Sequence, residues 1–308
     1  MAVLTPSRAP HAAPHHQGRV FGSPWPGVYA THMESARHFG RHSHAVYGVG
    51  LMEGGAQSSA SGRGNVEAYA GDVIMCNPGE VHDGRPLGGP SRRWRMLYLE
   101  PAVIAALVAD APDSALAADI ELTRPVAHDA RLRSALQRLL GRLQQWDHDH
   151  PANASRNSAD ALACEESLVQ ACALLMHRHA VSPVSSVTQS QSSSSSSALS
   201  PELHRARDHL AADLLAPPTL TELARTAGLS KFQLLRHFQK SFGLTPHAWL
   251  LQQRTERARG LIRQGAGLAQ AAAACGFADQ SHMTRLFARQ FGFTPGAWQQ
   301  AVGKTTLQ

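Results

Sequence analysis

The sequence has no long hydrophobic run and little cysteine. Nowhere in its 308 residues do apolar side chains continue for the ~18 positions that a membrane-spanning helix needs, so a transmembrane protein is excluded. The first twenty residues lack the continuous apolar core of a secretory signal, so we expect none. The four cysteines contain no C-x-x-C pair, and nothing indicates a disulfide framework, a zinc ribbon or a redox pair. We expect a reduced, cytoplasmic protein with no membrane partner.

The composition is that of a globular protein, with 43% hydrophobic and 17% charged residues. At roughly 100–200 residues per domain, a chain of this length folds as about two domains. Residues 181–200 are rich in serine and glutamine and predict a flexible linker, on the order of 25 Å long, that lets two domains orient independently. We predict a disordered arm over residues 1–18, a first domain over 19–180 and a second over 201–302. The histidines of the arm, among them His16, show no periodicity, and we expect no specific role for them.

The net excess of positive charge lies entirely in the second domain. Residues 1–200 carry 16 Lys and Arg against 17 Asp and Glu, whereas residues 201–308 carry 13 against 6. Such an excess is expected where one domain meets a polyanion such as nucleic acid. A basic surface without a partner would have the same composition, so charge alone leaves both interpretations open.

The second domain contains a duplicated unit. Residues 228–250 align with residues 276–299 at a spacing of 48–49 positions, with one inserted residue. The matching positions are Gly228 with Gly276, Phe238 with Phe287, Phe242 with Phe291, Gly243 with Gly292, Thr245 and Pro246 with Thr294 and Pro295, and Trp249 with Trp298. A match of this extent indicates a repeated structural element.

Each copy predicts a helix, a tight turn and a second helix. In the first copy, Thr219 with Glu222 and Ser230 with Gln233 form capping boxes, which start helices, and Gly228 supplies the turn between them. The predicted buried stripes are Leu234, Phe238 and Phe242 in the first copy and Met283, Phe287 and Phe291 in the second.

A pair of helix-turn-helix units on a basic domain suits DNA recognition, because the second helix of each unit presents its polar face to base edges in the major groove. Arginine pairs with guanine, glutamine with adenine, and an exposed phenylalanine or leucine packs on a thymine methyl group. A merely solvated face would not need Phe232 and Leu235. The residues predicted to contact bases are Lys231, Phe232, Gln233, Leu235, Arg236 and Lys240 in the first copy and Gln280, Ser281, His282, Thr284, Arg285 and Arg289 in the second.

Both copies end in the pattern FG-x-TP-x-x-W, at residues 242–249 and 291–298. With this pattern, residues 201–302 resemble the DNA-binding domain of AraC/XylS-type bacterial transcriptional regulators. The resemblance implies two helix-turn-helix units in successive major grooves, joined by a long helix over about Pro246–Arg263. We expect three residues of that helix to be available to DNA phosphates: Arg254, Arg257 and Arg259. Of these, we predict that Arg254 contacts a phosphate.

The first domain alternates short β-type segments with glycine turns, at residues 28–33, 46–53, 66–70, 72–76 and 94–100. Short strands at such spacing favour an antiparallel sandwich or barrel. Residues 41–44, 71–72 and 77–83 resemble the two half-motifs of a cupin barrel, which AraC-type regulators commonly carry as an effector-binding domain. The predicted fold class is α+β with two domains: a cupin-like antiparallel β-barrel with two helices, then an all-α double helix-turn-helix domain.

Histidines mark the candidate effector site. His42, His44 and His82, with Tyr47, are the predicted effector-binding residues. Imidazole suits zinc, iron and copper, so the three histidines are also a candidate metal site. A metal-binding cupin usually adds a glutamate shortly after its H-x-H, and residues 45–49 contain no carboxylate. A metal-free ligand pocket is therefore favoured and no cofactor is expected, while a metal site and histidines with only structural contacts stay open.

Two amphipathic helices are predicted after the barrel, over residues 129–146 and 160–179. Their apolar positions are Leu132, Leu136, Leu139, Leu143 and Trp146 in the first, and Leu162, Val169, Ala173 and Met176, beside Cys164, Leu168, Cys172 and Leu175, in the second. These faces can pack on the barrel or, as the resemblance implies, form an antiparallel helical dimer contact, and both interpretations stay open.

The sequence thus predicts a DNA-binding transcription regulator, not an enzyme, that a small-molecule effector controls through the barrel. We expect its partners to be double-stranded DNA, the effector, a second copy of the chain, and RNA polymerase if the protein is an activator. An alternative is a metal-dependent cupin enzyme fused to a DNA-binding tail, against which the missing glutamate counts. A third interpretation is an architectural DNA-binding protein without an effector.

Overall fold

The structure of the protein, a computed structural model, describes residues 15–109, 120–149, 158–181 and 201–303. Nearly all of the predicted arm and linker lie outside these ranges. Within them, every helix is too short or too polar to cross a membrane.

The first part of the described chain folds into antiparallel sheets, which confirms the predicted fold class. Its strands are β1 (His16–Phe21), β2 (Val28–Ser35), β3 (Phe39–His42), β4 (Tyr47–Gly54), β5 (Ala56–Ser61), β6 (Gly64–Tyr69), β7 (Val73–Cys76), β8 (His82–Pro86), β9 (Arg92–Leu99), β10 (Glu121–Leu122), β11 (Val126–Ala127) and β12 (Ala180–Val181). One sheet has the order β1-β2-β9-β4-β7-β11, and a second has the order β3-β8-β5-β6. The short strands β10 and β12 pair with each other.

Several strands are not predicted from the sequence. Strands β3, β5 and β8 consist largely of glycine, serine and charged or imidazole side chains, which have low strand propensity, and they are held by pairing with their neighbours. Strand β1 begins at His16, inside the segment predicted as a disordered arm, and pairs with β2 along its whole length.

The two faces of the larger sheet have different neighbours. Along β4, the side chains of Tyr47, Val49 and Leu51 point to one side and join a core that includes the helices after the barrel. On the opposite side, a Cβ atom at Gly50 would lie 2.1 Å from the carbonyl oxygen of Arg95, so no larger residue fits there.

Three helices accompany the sheets: α1 (Pro101–Ala109), α2 (Ala130–Asp149) and α3 (Ser158–His179). The predicted stripe of α2 is buried, and α3 buries Cys164, Leu168, Cys172 and Leu175 in the same core. On α3, Leu162 and Val169 are instead 65% and 47% exposed. The core therefore uses one face of α3, and a dimer contact through its other face stays a prediction.

The C-terminal part is entirely helical in the described residues. Its helices are α4 (Pro201–Ala212), α5 (Leu220–Thr226), α6 (Lys231–Phe242), α7 (Pro246–Arg263), α8 (Leu268–Ala274), α9 (Gln280–Phe291) and α10 (Pro295–Gly303). Both predicted capping boxes, at Thr219 and Ser230, are present, and α6 and α9 end at Gly243 and Gly292 with φ values of 72° and 79°. These left-handed ends favour glycine, so the repeated sequence produces two helix-turn-helix units, α5–α6 and α8–α9.

The two units are buried differently. The first unit forms its own core with α4, around Leu234 and Phe238. The core of the second unit, around Phe287, is continuous with barrel residues such as Tyr29 and Tyr98. The barrel and the second unit therefore share one apolar core, in contrast to the independently oriented domains expected from the linker.

Backbone contact between the barrel and the second unit is close. A Cβ atom at Gly18 would lie 2.3 Å from the carbonyl oxygen of Gly292, so β1 can approach the end of α9 only with glycine at this position. The Nε2–H group of His16 donates to the same oxygen at 2.8 Å. The expectation that His16 has no specific role is therefore wrong, because it bonds to the second helix-turn-helix unit.

A buried carboxylate joins the start of α2 to the end of α3. One oxygen of Asp129 accepts the backbone N–H groups of Arg131 and Leu132, and the other accepts from Arg178 and His179 at 2.7 and 2.9 Å. Burial by itself raises the pKa of Asp129, but the hydrogen bonds from His179, the Leu132 N–H and Arg178 outweigh it and lower the pKa to about 2.

Asp129→Asn is expected to destabilise the protein by roughly 1–3 kcal/mol at neutral pH, because the amide has a single acceptor oxygen and cannot serve both the backbone N–H groups of α2 and the side chains of Arg178 and His179. The pKa of Asp129 is lower in the folded state than its ordinary value of 3.8, so this stability is present above about pH 4 and is lost as the pH falls through about 2. Urea denaturation across this range measures the difference between wild type and variant. Asp160→Asn, at an exposed position, serves as control and should lower the free energy of unfolding by less than about 1 kcal/mol. If the difference in unfolding free energy between wild type and Asp129→Asn did not change with pH, the role given to the Asp129 carboxylate would be contradicted.

Candidate DNA-binding surface and effector cavity

The outward face of α6 presents the residues predicted to contact DNA. Of these, Lys231, Phe232, Gln233, Arg236 and Lys240 are exposed and Leu235 is half-buried. Phe232 is 88% exposed, more than any other large apolar side chain in the described residues. An exposed phenylalanine gains from contact with an apolar group such as a thymine methyl. Gln233 has a structural task as well, because its Oε1 accepts the N–H of Ser230 at 3.0 Å and completes the capping box.

The corresponding face of α9 carries two arginines. Gln280, Ser281, Arg285 and Arg289 are exposed, whereas His282 and Thr284 are half-buried. The ring of His282 packs edge-on against Phe277, with centroids 5.6 Å apart, so it also holds the turn of the unit. Arg285 and Arg289 lie one helical turn apart and share the same exposed face, so both can enter a major groove together.

The three arginines of α7 lie in different environments. Arg254 donates to the carbonyl oxygens of Leu214 and Gly276 at 2.8 and 2.7 Å, so it joins the loop before the first unit to the turn of the second. Its phosphate contact stays a prediction. Arg257 is exposed. Arg259 is only 6% exposed, so the expectation that it is available to phosphates is wrong.

A cavity lies between the two sheets of the barrel. Its lining includes the apolar residues Met33, Phe39, Trp94, Met96 and Tyr98 and the polar residues His42, His44, Gln57, His82 and Arg92. Three of the four predicted effector-binding residues, His42, His44 and His82, therefore meet at one site.

Tyr47 does not belong to this cavity. It precedes the inward-facing Gly48 on β4, so its side chain points to the opposite side of the sheet and packs in the core with the helices. Its hydroxyl group donates to the carbonyl oxygen of Ile120 at 2.6 Å. The prediction of Tyr47 beside the histidines is wrong because the strand register, which places alternate residues on opposite faces, is not evident from the sequence.

The three histidines form a compact cluster. The ring centroid of His42 lies 4.5 Å from that of His82 and 4.9 Å from that of His44. Burial, and then the neighbouring His82, lower the pKa of His42 to about 3. Burial likewise lowers the pKa of His44 well below its ordinary value and lowers that of His82. All three imidazoles are therefore neutral at physiological pH.

Arg92 is a buried cation in the same cavity that sequence reasoning missed. It is 2% exposed, and its guanidinium group lies over the rings of Trp94 and Phe39, 4.7 and 5.6 Å from their centroids. Its nitrogens donate to Gln57 Oε1 and to the carbonyl oxygens of Arg37 and Gly84, and it forms no ion pair with the described carboxylates. Burial lowers its pKa to about 10.

The second helix-turn-helix unit closes part of the cavity. Gln290 and Phe291, at the end of α9, line it together with the barrel residues. The ring of Phe291 stacks on His44 with centroids 5.8 Å apart, and the Gln290 amide donates to the carbonyl oxygen of Ser43 at 3.1 Å. A molecule in this cavity would therefore touch both domains.

Arg259 lies at the centre of the contact between the domains. Its guanidinium group is 5.5–5.7 Å from the ring centroids of Tyr29, Phe291 and Trp298, and it donates to Glu256 at 2.9 Å. Glu256 also accepts the N–H of Ala45, from the barrel, at 3.1 Å. The charge pair is thus buried between aromatic rings of both domains.

Two family descriptions match the chain. An AraC-like ligand binding domain matches residues 26–172, and a helix-turn-helix domain matches residues 223–301. The first includes the barrel from β2 onward, with α1, α2 and most of α3, and the second includes the second helix of each helix-turn-helix unit, α6 and α9.

The names of two sequence relatives agree with these descriptions. The chain is 27% identical over 246 residues to the uncharacterized HTH-type transcriptional regulator YbfI of Bacillus subtilis, with 80% of this chain and 81% of YbfI covered. It is 29% identical over 159 residues to the HTH-type transcriptional activator RhaR of Klebsiella pneumoniae, with 51% of this chain and 52% of RhaR covered. The crystal structure of ToxT from Vibrio cholerae superposes with a TM-score of 0.43 at 11% identity, over 95% of this chain and 99% of that one.

Arg259→Met is expected to loosen the contact between the domains, because it leaves Glu256 buried without its charge partner. The cost of such a broken pair is about 3–5 kcal/mol. Small-angle X-ray scattering should then show a larger radius of gyration than for wild type. Arg257→Met, an exposed change two residues away on the same helix, is the control and should leave the radius of gyration unchanged; equal values for both variants would contradict the role given to Arg259.

Proposed function

Because the chain belongs to the AraC family of helix-turn-helix transcriptional regulators, with an AraC-like ligand-binding domain, we propose that it binds specific operator DNA under the control of a small molecule in the barrel cavity. Residues 19–180 would sense the effector and residues 201–302 would bind DNA, with the serine-rich segment as their linker. Such a regulator acts on chromosomal DNA, so we place it in the cytoplasm.

DNA recognition in this proposal uses the outward faces of α6 and α9. The second helix of each unit enters a major groove, where Arg285 and Arg289 can pair with guanine and Phe232 can pack on a thymine methyl group. Arg236 and Lys240 are exposed on the same face of α6 as Phe232, and Lys231 is exposed at the start of the helix. Three other predicted contacts, Gln233, His282 and Arg254, have structural contacts as well and are secondary candidates.

The observation that carries the control by an effector is the shared wall of the cavity. Gln290 and Phe291 line the cavity, and the exposed Arg289 precedes them directly on α9. A ligand that binds the docked arrangement more tightly than the separated one shifts the population between them, and so changes how α9 is presented to DNA. Control by the ligand requires only that the ligand bind the docked and the separated arrangements with different affinities.

A homodimer is part of the proposal. Leu162 and Val169 are exposed apolar residues on the face of α3 opposite its core, and a second copy of the chain would cover them. RNA polymerase is a further proposed partner, supported by the name of RhaR, a transcriptional activator. The relatives are regulators, which favours this function over a cupin enzyme fused to a DNA-binding tail.

Sequencing of genomic fragments that the purified full chain retains at ~150 mM salt tests the proposal. We expect the fragments to share two short boxes about one helical turn, ~10–10.5 bp, apart, one for each unit. The genes beside these boxes would indicate the class of effector. If the retained fragments shared no motif and were released as the salt concentration rises, DNA binding would be purely electrostatic, and sequence-specific regulation would be overturned.

Arg285→Ala is expected to cost ~1–3 kcal/mol in binding and to relax the preference at one base position, because it removes a base contact. Arg205→Ala removes the same charge from the exposed face of α4 and should leave every base preference unchanged. Binding of a library of operator variants measures both. If the two variants gave the same preferences as wild type, Arg285 would not read a base.

A further inference from the structure

Arg92 places a positive charge in the wall of the cavity. On β9, the alternate residues Arg92, Trp94, Met96 and Tyr98 face the same side of the sheet and line the cavity together. Gly84, on β8 of the second sheet, leaves room for the guanidinium group, because a Cβ atom at this glycine would lie 3.2 Å from Nη2 of Arg92. The fold therefore holds this charge between the two sheets, with the side chain only 2% exposed.

The neighbours of Arg92 hold its guanidinium group in place without neutralising it. Each of the three nitrogens donates one hydrogen bond, and the acceptors are the uncharged oxygens of Gln57, Arg37 and Gly84. A guanidinium group has five N–H bonds, so one on Nη1 and one on Nη2 have no acceptor among the described residues. A buried charge is costly unless it is paired and hydrogen-bonded. An anionic group in the cavity would supply both the counter-charge and the missing acceptors.

Two acidic residues also line the cavity, and both are engaged elsewhere. Glu80 pairs with Arg63 at 3.5 Å, and Asp83 accepts the N–H of Ala60 at 2.7 Å. The pKa of Arg92 is lowered by burial, with no contribution from either carboxylate. The described acidic residues therefore leave the charge of Arg92 available to a ligand.

A carboxylate matches the geometry and the charge of this position. Its two oxygens can accept from the two remaining N–H bonds, and its single charge equals that of the guanidinium group. A phosphate monoester carries about −1.5 to −2 charges at pH 7, more than Arg92 and the neutral imidazoles can balance. The rest of the acid would lie against apolar side chains of the cavity, among them Met33, Met96 and Phe291.

Two of the histidines offer hydrogen-bond acceptors to the same ligand. Nδ1 of His42 lies 2.8 Å from the carbonyl oxygen of Gly40, and Nδ1 of His82 lies 2.9 Å from that of Glu80. A carbonyl oxygen only accepts hydrogen bonds, so both Nδ1 atoms carry the proton and both Nε2 atoms carry a lone pair. Neither Nε2 atom has a donor in the part of the chain that the structure describes. A hydroxyl group of the ligand can donate to such a nitrogen.

The cation and the histidines are close enough for one small molecule to reach both. The centroid of the Phe39 ring lies 5.6 Å from the guanidinium carbon of Arg92 and 6.3 Å from the centroid of the His42 ring. Arg92 and His42 thus flank a single aromatic ring. A molecule that bridges them carries an anionic group at one end and a hydrogen-bond donor at the other.

We propose that the effector is a small hydroxycarboxylic acid, whose carboxylate pairs with Arg92 and whose hydroxyl group donates to an imidazole of the cluster formed by His42, His44 and His82. Its binding stands on the residues of the cavity, and only its role as an effector rests on the proposed function. An uncharged molecule of the same shape leaves Arg92 unpaired and binds more weakly.

Isothermal titration of the full chain, without DNA, with ω-hydroxycarboxylates of increasing length, from glycolate to 8-hydroxyoctanoate, tests both contacts. We expect one molecule per chain, with the highest affinity at the length that spans Arg92 and the histidines. The primary amide of the tightest-binding acid should bind about tenfold more weakly or worse, because it lacks the charge. The acid of equal length without the hydroxyl group should bind about 2–10-fold more weakly.

Arg92→Met removes the charge and should abolish the difference in affinity between the acid and its amide. Arg93→Met, the next residue of β9, removes an equal charge from an exposed position and is the matched control, in which the difference should persist. Circular dichroism establishes that the variants are folded. If Arg92→Met is not, Arg92→Lys replaces it, since lysine keeps the charge but lacks the planar pair of donors, and it should weaken binding of the acid about tenfold.

Equal binding of the acid and its amide to wild type would overturn the role of Arg92, and this comparison does not depend on any variant. Binding of none of the acids at ~10 mM, or tighter binding of inorganic phosphate, would overturn the class of ligand. If the acid without the hydroxyl group bound equally well, the contact with the histidines would be overturned.

The tightest-binding acid should also change the affinity of the chain for the genomic fragments that it retains. Stoichiometric binding of the acid with unchanged DNA affinity would overturn its role as an effector. Since the titrations contain no DNA, a failure of the acids to bind is separate from a failure of the fragments to share an operator motif.

Discussion

The burial of Arg259 between aromatic rings of both domains is the interaction on which the arrangement of the molecule depends. A guanidinium group leaves water at a high cost, which is offset here by Glu256 and by the faces of Tyr29, Phe291 and Trp298. Both partners of the charge pair come from α7, whereas part of the aromatic cage comes from the barrel. The pair is therefore fully surrounded only when the second helix-turn-helix unit lies against the barrel.

The helical domain could be predicted from the sequence because its signals are local. Capping boxes at Thr219 and Ser230 and glycine caps at Gly243 and Gly292 specify helix ends within a few residues, and the observed helices begin and end there. Because the same sequence pattern occurs twice, it predicts two helix-turn-helix units. The barrel was predicted as a class, but β3, β5 and β8 were missed, because their residues are held by pairing with distant strands rather than by their own propensity.

The candidate effector site was predictable only in part, because the strand register and the packing between the domains are not evident from the sequence. The spacing of His42 and His44, two residues apart, places both near one end of β3, so their proximity follows from the sequence. Tyr47 was assigned to the wrong face because a shift of one residue reverses the direction of a strand side chain. Phe291 belongs to the apolar stripe of a helix. Such a stripe has the same sequence pattern whether it packs within its own unit or against a second domain, so the place of Phe291 in the cavity wall was not predictable.

The different burial of the two units bears on how such proteins can be recombined. The core of the first unit contains no barrel residue, whereas the second unit completes a core that begins in the barrel. At their contact, a side chain at Gly18 would meet the backbone of Gly292 at 2.3 Å, so even an alanine in β1 would push the two apart. A chimera that joins this barrel to a foreign DNA-binding domain would thus have to keep the barrel-facing surfaces of α7, α9 and α10. The segment that can be exchanged freely ends before Gly243, whose carbonyl oxygen accepts from Arg41 of the barrel.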